Sequence, residues 1–583
     1  MPQAAILFRK VSTLFAFALL LPVAGMVISI FEQRWKTIAI AAIPVALLLW
    51  FGSSLLRRLE ILFARLARRR ALAIISVAAL AFAASAAIAA SKGIREPEVT
   101  DEFSYLLSAD TFAHGRLSNP TPRMWTHFET IHVIQQPTYA SKYPPGQGMI
   151  LAAGKVIAGH PIVGVWIAIA AACGAICWML MAWTNPQWAM AGSVMMLFHP
   201  MFIEWSQSYW GGAVAMAGGA LIAGAAARII RHQRIKDSIL MGLGIMVLAS
   251  TRPYEGMILS LLTGLTLIIQ LLKKKNLKLS LALKQVALPI AAMLMLTALW
   301  LGYYNFRVTG NPLKLPYAVH EEQYGIAPLF LFQKIRPEPQ YNHRELRQLH
   351  AGWELNDFLN QQSMEGVIEG ALYKLKSFLT CNLRDLIFLI PLFALPALLT
   401  RDRKSRLALA IIVITLAAVL VETWYLPHYT SLITGLMLVI VLRSMMILNA
   451  WRWRQMALGQ QTIRATMLLP AIMLVTFWVT LPPIDVSQWN YQRARMIKEF
   501  GNSGEQHLVV VRYGPEHLIH QEWVHNMADM DSSPVVWARS MGEKRDHELI
   551  EYFKHRWGWI LEVNNGIATL KPYEKDSTNG RQN

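Results

Sequence analysis

Residues 161–184 read PIVGVWIAIAAACGAICWMLMAWT, a run without one charged side chain. Crossing about 30 Å of hydrocarbon takes roughly 20 apolar residues in a helix, because a helix satisfies its backbone N–H and C=O groups from within the segment. This run is long enough. It also holds two of the three cysteines, Cys173 and Cys177, while Cys381 stands alone. No disulfide framework or CxxC metal pair is available, and the cysteines read as packing residues.

Outward from this run the pattern recurs. Spans are expected near 12–30, 37–55, 72–91, 187–203, 212–230, 238–251, 253–272, 285–304, 385–400, 407–424, 428–447 and 466–483, about thirteen in all. The 583-residue chain is 54% hydrophobic and only 16% charged, with a mean hydropathy of +0.35. A soluble chain carries roughly a quarter charged residues, so a wholly soluble or disordered protein is excluded.

The net charge of +19 falls in short clusters between the apolar runs, a pattern of membrane orientation rather than of nucleic-acid binding. One cluster is Arg57, Arg58, Arg65, Arg68, Arg69 and Arg70; others are Arg228 to Lys236, Lys273 to Lys278, Arg401 to Arg406 and Arg443 to Arg464. If the spans alternate, all these clusters lie on one side, the cytoplasmic one. The opposite, extracytoplasmic face then receives the 92–147 loop, the 204–210 turn, the 251–255 junction, the 305–384 segment, the 425–429 turn and the tail from 484. Alternating apolar stretches at 507–512, 535–537 and 557–562, with a helical stretch at 543–554, make the 484–583 tail a small soluble α/β domain. The expected fold is an all-α polytopic membrane protein with that domain appended. No Walker loop, GxGxxG, HExxH or GxSxG occurs in a matching context, so no nucleotide cofactor is expected.

Polar chemistry concentrates on the extracytoplasmic face. In Glu98-Val-Thr-Asp-Glu-Phe-Ser-Tyr105, Thr100 reads as an N-cap with Asp101 and Glu102 in the first helical turn, where the dipole favours carboxylates. Asp101 and Tyr105 share a face at i,i+4, and Glu102 points about a hundred degrees away. The plain alternative is a capped interfacial helix. Further on, Lys142 and Tyr143 precede Pro144-Pro145-Gly146, with Lys142 either a snorkelling anchor or a phosphate contact. Arg252, beside Glu255, and Arg307 are cations on the face where positive charge is not expected. Arg252 either pairs with Glu255 or presents its guanidinium fork to a phosphate. Glu204 and His428 end other helices here; each alone reads as a capping or interfacial residue. Carboxylates that take a proton or hold a cation, cations for a departing phosphate and aromatics for sugar rings suit sugar transfer from a lipid phosphate.

The residues resemble a known group, the GT-C integral-membrane glycosyltransferases that use polyprenyl-phosphate-linked sugars. Asp101-Glu102, Tyr105, Gly115-Arg116 and Lys142-Tyr143-Pro144-Pro145 are similar to the first-loop pattern of the protein mannosyltransferase and aminoarabinose transferase relatives. The resemblance covers about residues 90–320 and implies a catalytic role for Asp101, as base or in organising a metal with Glu102. It also implies inversion at the anomeric carbon. The substrate-binding set is then Tyr105, Lys142, Tyr143, Glu204, Arg252, Glu255, Arg307 and His428, with Mg2+ or Mn2+ as the metal. Residues 1–56 are two helices added before a GT-C-like core at 57–483. The WWDYG-type motif of oligosaccharyltransferases is missing, since Trp210 is followed by Gly211 and Gly212. There is no room for a β-trefoil module.

The expectation is a multi-pass glycosyltransferase of a bacterial inner membrane, working at its extracytoplasmic face. It moves sugar from a polyprenyl-phosphate donor to a hydroxyl of a glycan, lipid or protein acceptor. The rival is a transporter or flippase of lipid-linked saccharides, using the same cations without bond breaking; a catalytically silent scaffold is a third reading.

Overall fold

A computed structural model describes residues 24–573, apart from 31, 33–34, 37, 51, 275–277 and 481–483. Most of the expected span 12–30, the residue Lys275 and the end of the 466–483 run lie outside the described residues. The chain is mostly helical, with a small C-terminal sheet.

Among the described residues six helices are long and apolar enough to cross a membrane. The first two are α1 (Arg70–Lys92) and, later, the helix Ile162–Trp183 of the opening run. Between them lie α2 (Thr100–Ala113) and α3 (Pro145–Ala158), so Ile162–Trp183 becomes α4. The others are α5 (Gly212–His232), α6 (Pro253–Leu272), α7 (Leu279–Thr309) and α8 (Pro427–Asn449), and a bent pair, Ile38–Trp50 with Ser54–Arg68, meets at 86°.

Among the described residues these helices do not confirm the expected count of about thirteen spans. Residues 187–203 break into Pro186–Val194, a 3-10 turn Met195–Phe198 and Phe202–Gln207. Residues 385–400 split into Leu386–Leu392, with Pro391 inside it, and Leu395–Arg401. Ile235–Ala249, with 15 residues, is shorter than a typical span, and Arg403–Val419, with 17, is at its lower limit. Composition registers an apolar stretch but not the break inside it.

The bundle closes through small side chains, as expected where helices pack without a hydrophobic drive between them. A Cβ on Gly219 of α5 would lie 1.9 Å from the Leu432 carbonyl oxygen of α8, and one on Gly154 of α3 would lie 2.0 Å from the Gly164 backbone nitrogen of α4. Cys173 and Cys177 are fully buried in this core.

The 92–147 loop is an ordered layer. After α2 it forms a short antiparallel hairpin of β1 (Val133–Ile134) and β2 (Ala140–Ser141). Residues on opposite sides of α2 go to different neighbours, as a 100° step requires. Tyr105 and Ala109 pack with Leu151, Ile162, Val165 and Tyr209. Leu107 packs with Leu508, Val510 and Val536 of the C-terminal region, and Phe103 with Trp489, Val509 and Trp537.

That region contains α9 (Trp489–Asn502), β3 (His507–Tyr513), β4 (Val535–Arg539), α10 (Glu543–Tyr552), β5 (Trp557–Asn564) and β6 (Ile567–Pro572). The sheet order is β4-β3-β5-β6, with β3 parallel to both neighbours and β5 antiparallel to β6. The central Leu508-Val-Val-Val511 is buried, as a strand covered on both faces must be. Asn565 and Gly566, at φ 46° and 75°, close the β5–β6 hairpin with both central residues at positive φ, the twist a two-residue turn needs.

Candidate active site

The site begins where α2 begins. Its N-cap is Val99, in an extended conformation with no side-chain cap, so Thr100 is the first helical residue rather than the cap expected. The open amides are met from inside the turn: Glu98 N–H donates to Glu102 Oε2 at 2.8 Å and Val99 N–H at 3.4 Å. The other oxygen, Oε1, accepts the Tyr209 N–H at 2.8 Å. Glu102 therefore ties α2 to the 204–210 turn. Burial pushes its carboxyl up to about 7, against the downward pull of those three backbone bonds.

Asp101 faces another way. Its side chain is 23% exposed; the Tyr143 hydroxyl donates to Oδ1 at 2.5 Å, and His132 Nε2 lies 3.6 Å from Oδ2. Tyr143 stacks on Tyr105 with ring centroids 4.6 Å apart. Burial pushes the Tyr105 phenol up to about 12 and the Tyr143 phenol up as well, so both stay protonated. Tyr143 is thus a dependable donor to the carboxylate. The charges of Arg252, Asp101 and Glu255 all reach the Tyr105 phenol, which places these groups around one locus.

Arg252 caps the start of α6. Its guanidinium lies over the Tyr429 ring, 4.3 Å from the centroid, and Nη1 is 3.9 Å from Glu255 Oε1. At that distance the Glu255 contact is an ion pair without a hydrogen bond. The side chain is 13% exposed, and among the described residues no hydrogen bond engages its guanidinium, which Tyr429 and Glu255 hold in place. His428 stands edge-on to Trp210 at 4.7 Å and to Tyr429 at 5.0 Å, buried in the same wall.

Lys142 and Arg307 sit differently from the expectation that both face a phosphate. Lys142 is buried, with Nζ 3.6 Å from Glu321 Oε1 and 5.1 Å from the centre of the Tyr317 ring. Glu321 also meets His320 at 3.4 Å and Arg336 at 3.5 Å; burial raises its carboxyl, but His320, Lys142 and His350 outweigh it and hold it below the ordinary carboxylate range. Arg307 is exposed at the end of α7, where Nη1 donates to the Tyr303 hydroxyl at 3.1 Å, and no contact joins it to the Asp101 group among the described residues. Glu204 pairs with Arg95 at 3.5 Å, both partly exposed. Asp101, Tyr105, Tyr143, Arg252, Glu255 and His428 are brought together; Lys142 is engaged beside them, and Glu204 and Arg307 stand apart.

The Asp101-Glu102 pair does not form the Mg2+ or Mn2+ site expected of it. The helical step turns the two side chains apart, and backbone N–H groups occupy both Glu102 oxygens. Among the described residues no group of three or more His, Cys, Asp and Glu side chains is placed to hold a metal ion. Sequence reading missed His132, Tyr429 and Glu321, which sit in no recognisable motif. It also missed His520 of the C-terminal region, which lies in the field of Asp101.

No family model and no curated protein matches the chain. Among solved structures it is similar to ArnT from Cupriavidus metallidurans in the apo state, at 13% identity and a TM-score of 0.47, over 84% of this chain and 92% of that one. The same protein bound to undecaprenyl phosphate aligns at 11% identity and a TM-score of 0.41, over 84% and 92%. The Archaeoglobus fulgidus oligosaccharyltransferase in complex with Zn and sulfate aligns at 11% identity and a TM-score of 0.46, over 83% of this chain and 67% of that one. At such scores the likeness assigns no activity to this chain.

Proposed function

We propose that this protein is a membrane glycosyltransferase moving a sugar from a polyprenyl-phosphate donor to an acceptor hydroxyl, with its site on the extracytoplasmic face of a bacterial inner membrane. The observations that carry the reading are a partly exposed Asp101 hydrogen-bonded by Tyr143 and an Arg252 guanidinium held over the Tyr429 ring, both acting on the Tyr105 phenol. A base and an anion receptor in one site are what displacement of a phosphate by a hydroxyl needs.

In the proposed step the acceptor O–H gives its proton to Asp101 while its oxygen attacks the anomeric carbon. The carbon–oxygen bond to the phosphate breaks, and the electron pair leaves with the lipid phosphate, whose charge Arg252 meets. Attack opposite the phosphate inverts the anomeric centre. The acceptor is a glycan, lipid or protein hydroxyl, and Tyr105, Tyr143 and His428 line its approach.

The test compares membranes holding wild-type protein with membranes holding Asp101→Asn, each given a mixed pool of radiolabelled polyprenyl-phosphate sugars. Loss of label from one lipid in wild type, and none with equally abundant Asp101→Asn, is the expected result. Equal behaviour would reduce Asp101 to a helix-end residue and favour the flippase reading, which needs no base.

A further inference from the structure

His132 stands behind the proposed base. It precedes β1 with φ at 64°, in the left-handed region that side chains other than glycine adopt seldom. Two donors lock its carbonyl there: Ser104 Oγ at 2.7 Å and the Lys142 N–H at 3.2 Å. Ser104 lies one turn along α2 from Asp101, so the helix that carries the carboxylate also pins the turn that carries the imidazole. The ring is set with Nε2 3.6 Å from Asp101 Oδ2, the oxygen that Tyr143 leaves free. Its other faces meet Tyr143 edge-on at 5.7 Å and His320 at 6.1 Å.

The ring carries an N–H in either protonation state. On Nδ1, which is buried without a partner among the described residues, a lone hydrogen would be an unmet donor, the costlier arrangement. On Nε2 it faces Asp101 Oδ2 across 3.6 Å, just beyond hydrogen-bond range.

We propose that His132 is a positioning residue whose imidazole edge faces Asp101 Oδ2 while the Tyr143 hydroxyl holds Oδ1, limiting rotation of the carboxylate so that its outward lone pair meets the acceptor hydroxyl. The proposal rests on the transferase reading above. Throughout the step the acceptor proton moves to Asp101, the new glycosidic bond forms as the sugar–phosphate bond breaks, and His132 keeps its own proton.

The test measures label release by full-length protein in membranes, from the same radiolabelled lipid pool, as kcat and as KM for the donor. His132→Phe fills the site without a donor and is expected to lower kcat by about ten- to a hundredfold, with the donor KM within about twofold of wild type. His132→Gln keeps an N–H and is expected to restore most of the rate. If His132→Phe does not accumulate folded, His132→Asn, too short to reach Asp101, takes its place. An unchanged kcat, a loss confined to KM, or a Gln variant as poor as Phe would overturn the proposal, and with Asp101→Asn still inactive the transferase reading would survive. If wild type releases no label, that reading falls and the pair is judged by melting temperature. Additive shifts of Asp101→Asn and His132→Phe would sink the contact, while non-additive shifts would leave it standing.

Discussion

The apolar bundle and the polar layer above it are joined by opposite means. In the bundle, contact is made by absence: Gly219 lets the α5 backbone meet the Leu432 carbonyl, and Gly154 and Gly164 let α3 meet α4. In the layer, contact is made by charge. Arg539, fully buried, donates from Nε to the Glu129 carbonyl at 2.7 Å and from Nη1 to Glu345 at 3.2 Å, and from Nη2 to Glu522. One guanidinium thereby joins the 92–147 loop, the 305–384 segment and the C-terminal sheet. Glu522 is completed by the Tyr513 hydroxyl at 2.6 Å and the Val524 N–H at 2.7 Å. Non-directional packing suffices to assemble helices in lipid, but holding Asp101 in one orientation needs directional bonds, and the layer supplies them.

The sharpest way to break this contrast is Arg539→Met. It leaves Glu522 buried without its cation, while Glu345 keeps Arg344 at 3.5 Å, and removing one partner of a buried pair costs about 3–5 kcal/mol. Thermal unfolding should show that loss, and limited proteolysis should release the C-terminal region while α5 and α8 remain protected. Equal loosening of both regions would erase the distinction.

A somewhat smaller effect depends on pH. Glu102 titrates at about 7 in the folded chain against 4.5 unfolded. Between those values the folded state binds more proton than the unfolded one, so this group's contribution to stability falls as pH rises. At about 1.4 kcal/mol per unit the difference is about 3–4 kcal/mol. Wild type should therefore lose melting temperature between pH 5 and 8 relative to Glu102→Gln, which carries no charge. Parallel curves would show that the three backbone N–H bonds compensate fully.

The smallest effect is expected in the bundle. Gly219→Val places a methyl-bearing carbon against the Leu432 carbonyl, and overpacking of this kind costs about 1–3 kcal/mol. The melting temperature should drop, and label release by the protein still folded stays at the wild-type rate only if the displaced Leu432 leaves His428 and Tyr429, one turn away, in place. A changed donor KM would couple the α5–α8 contact to the site.

Some of the molecule was legible because local chemistry forces it. The uncharged run at 161–184 had to become a helix, and the alternating stretches at 507–512 and 557–562 had to become strands. The 100° helical step separated Asp101 from Glu102 before any coordinates were considered. Short helices were read as spans because hydropathy windows do not register Pro391 or the turn at 195–198. Lys142 was read as facing a ligand because Glu321, its partner, lies far along the chain in a segment without a motif.

Sequence alone determined the apolar runs, the C-terminal sheet and the position of Asp101 in the first turn of α2, since each depends on neighbours within a few residues. Tertiary structure decided how each cation is engaged, gave Glu102 its three N–H donors, and brought His132 to Asp101. These depend on groups that meet only when separate segments fold onto one another, and no local pattern records where a distant partner will lie.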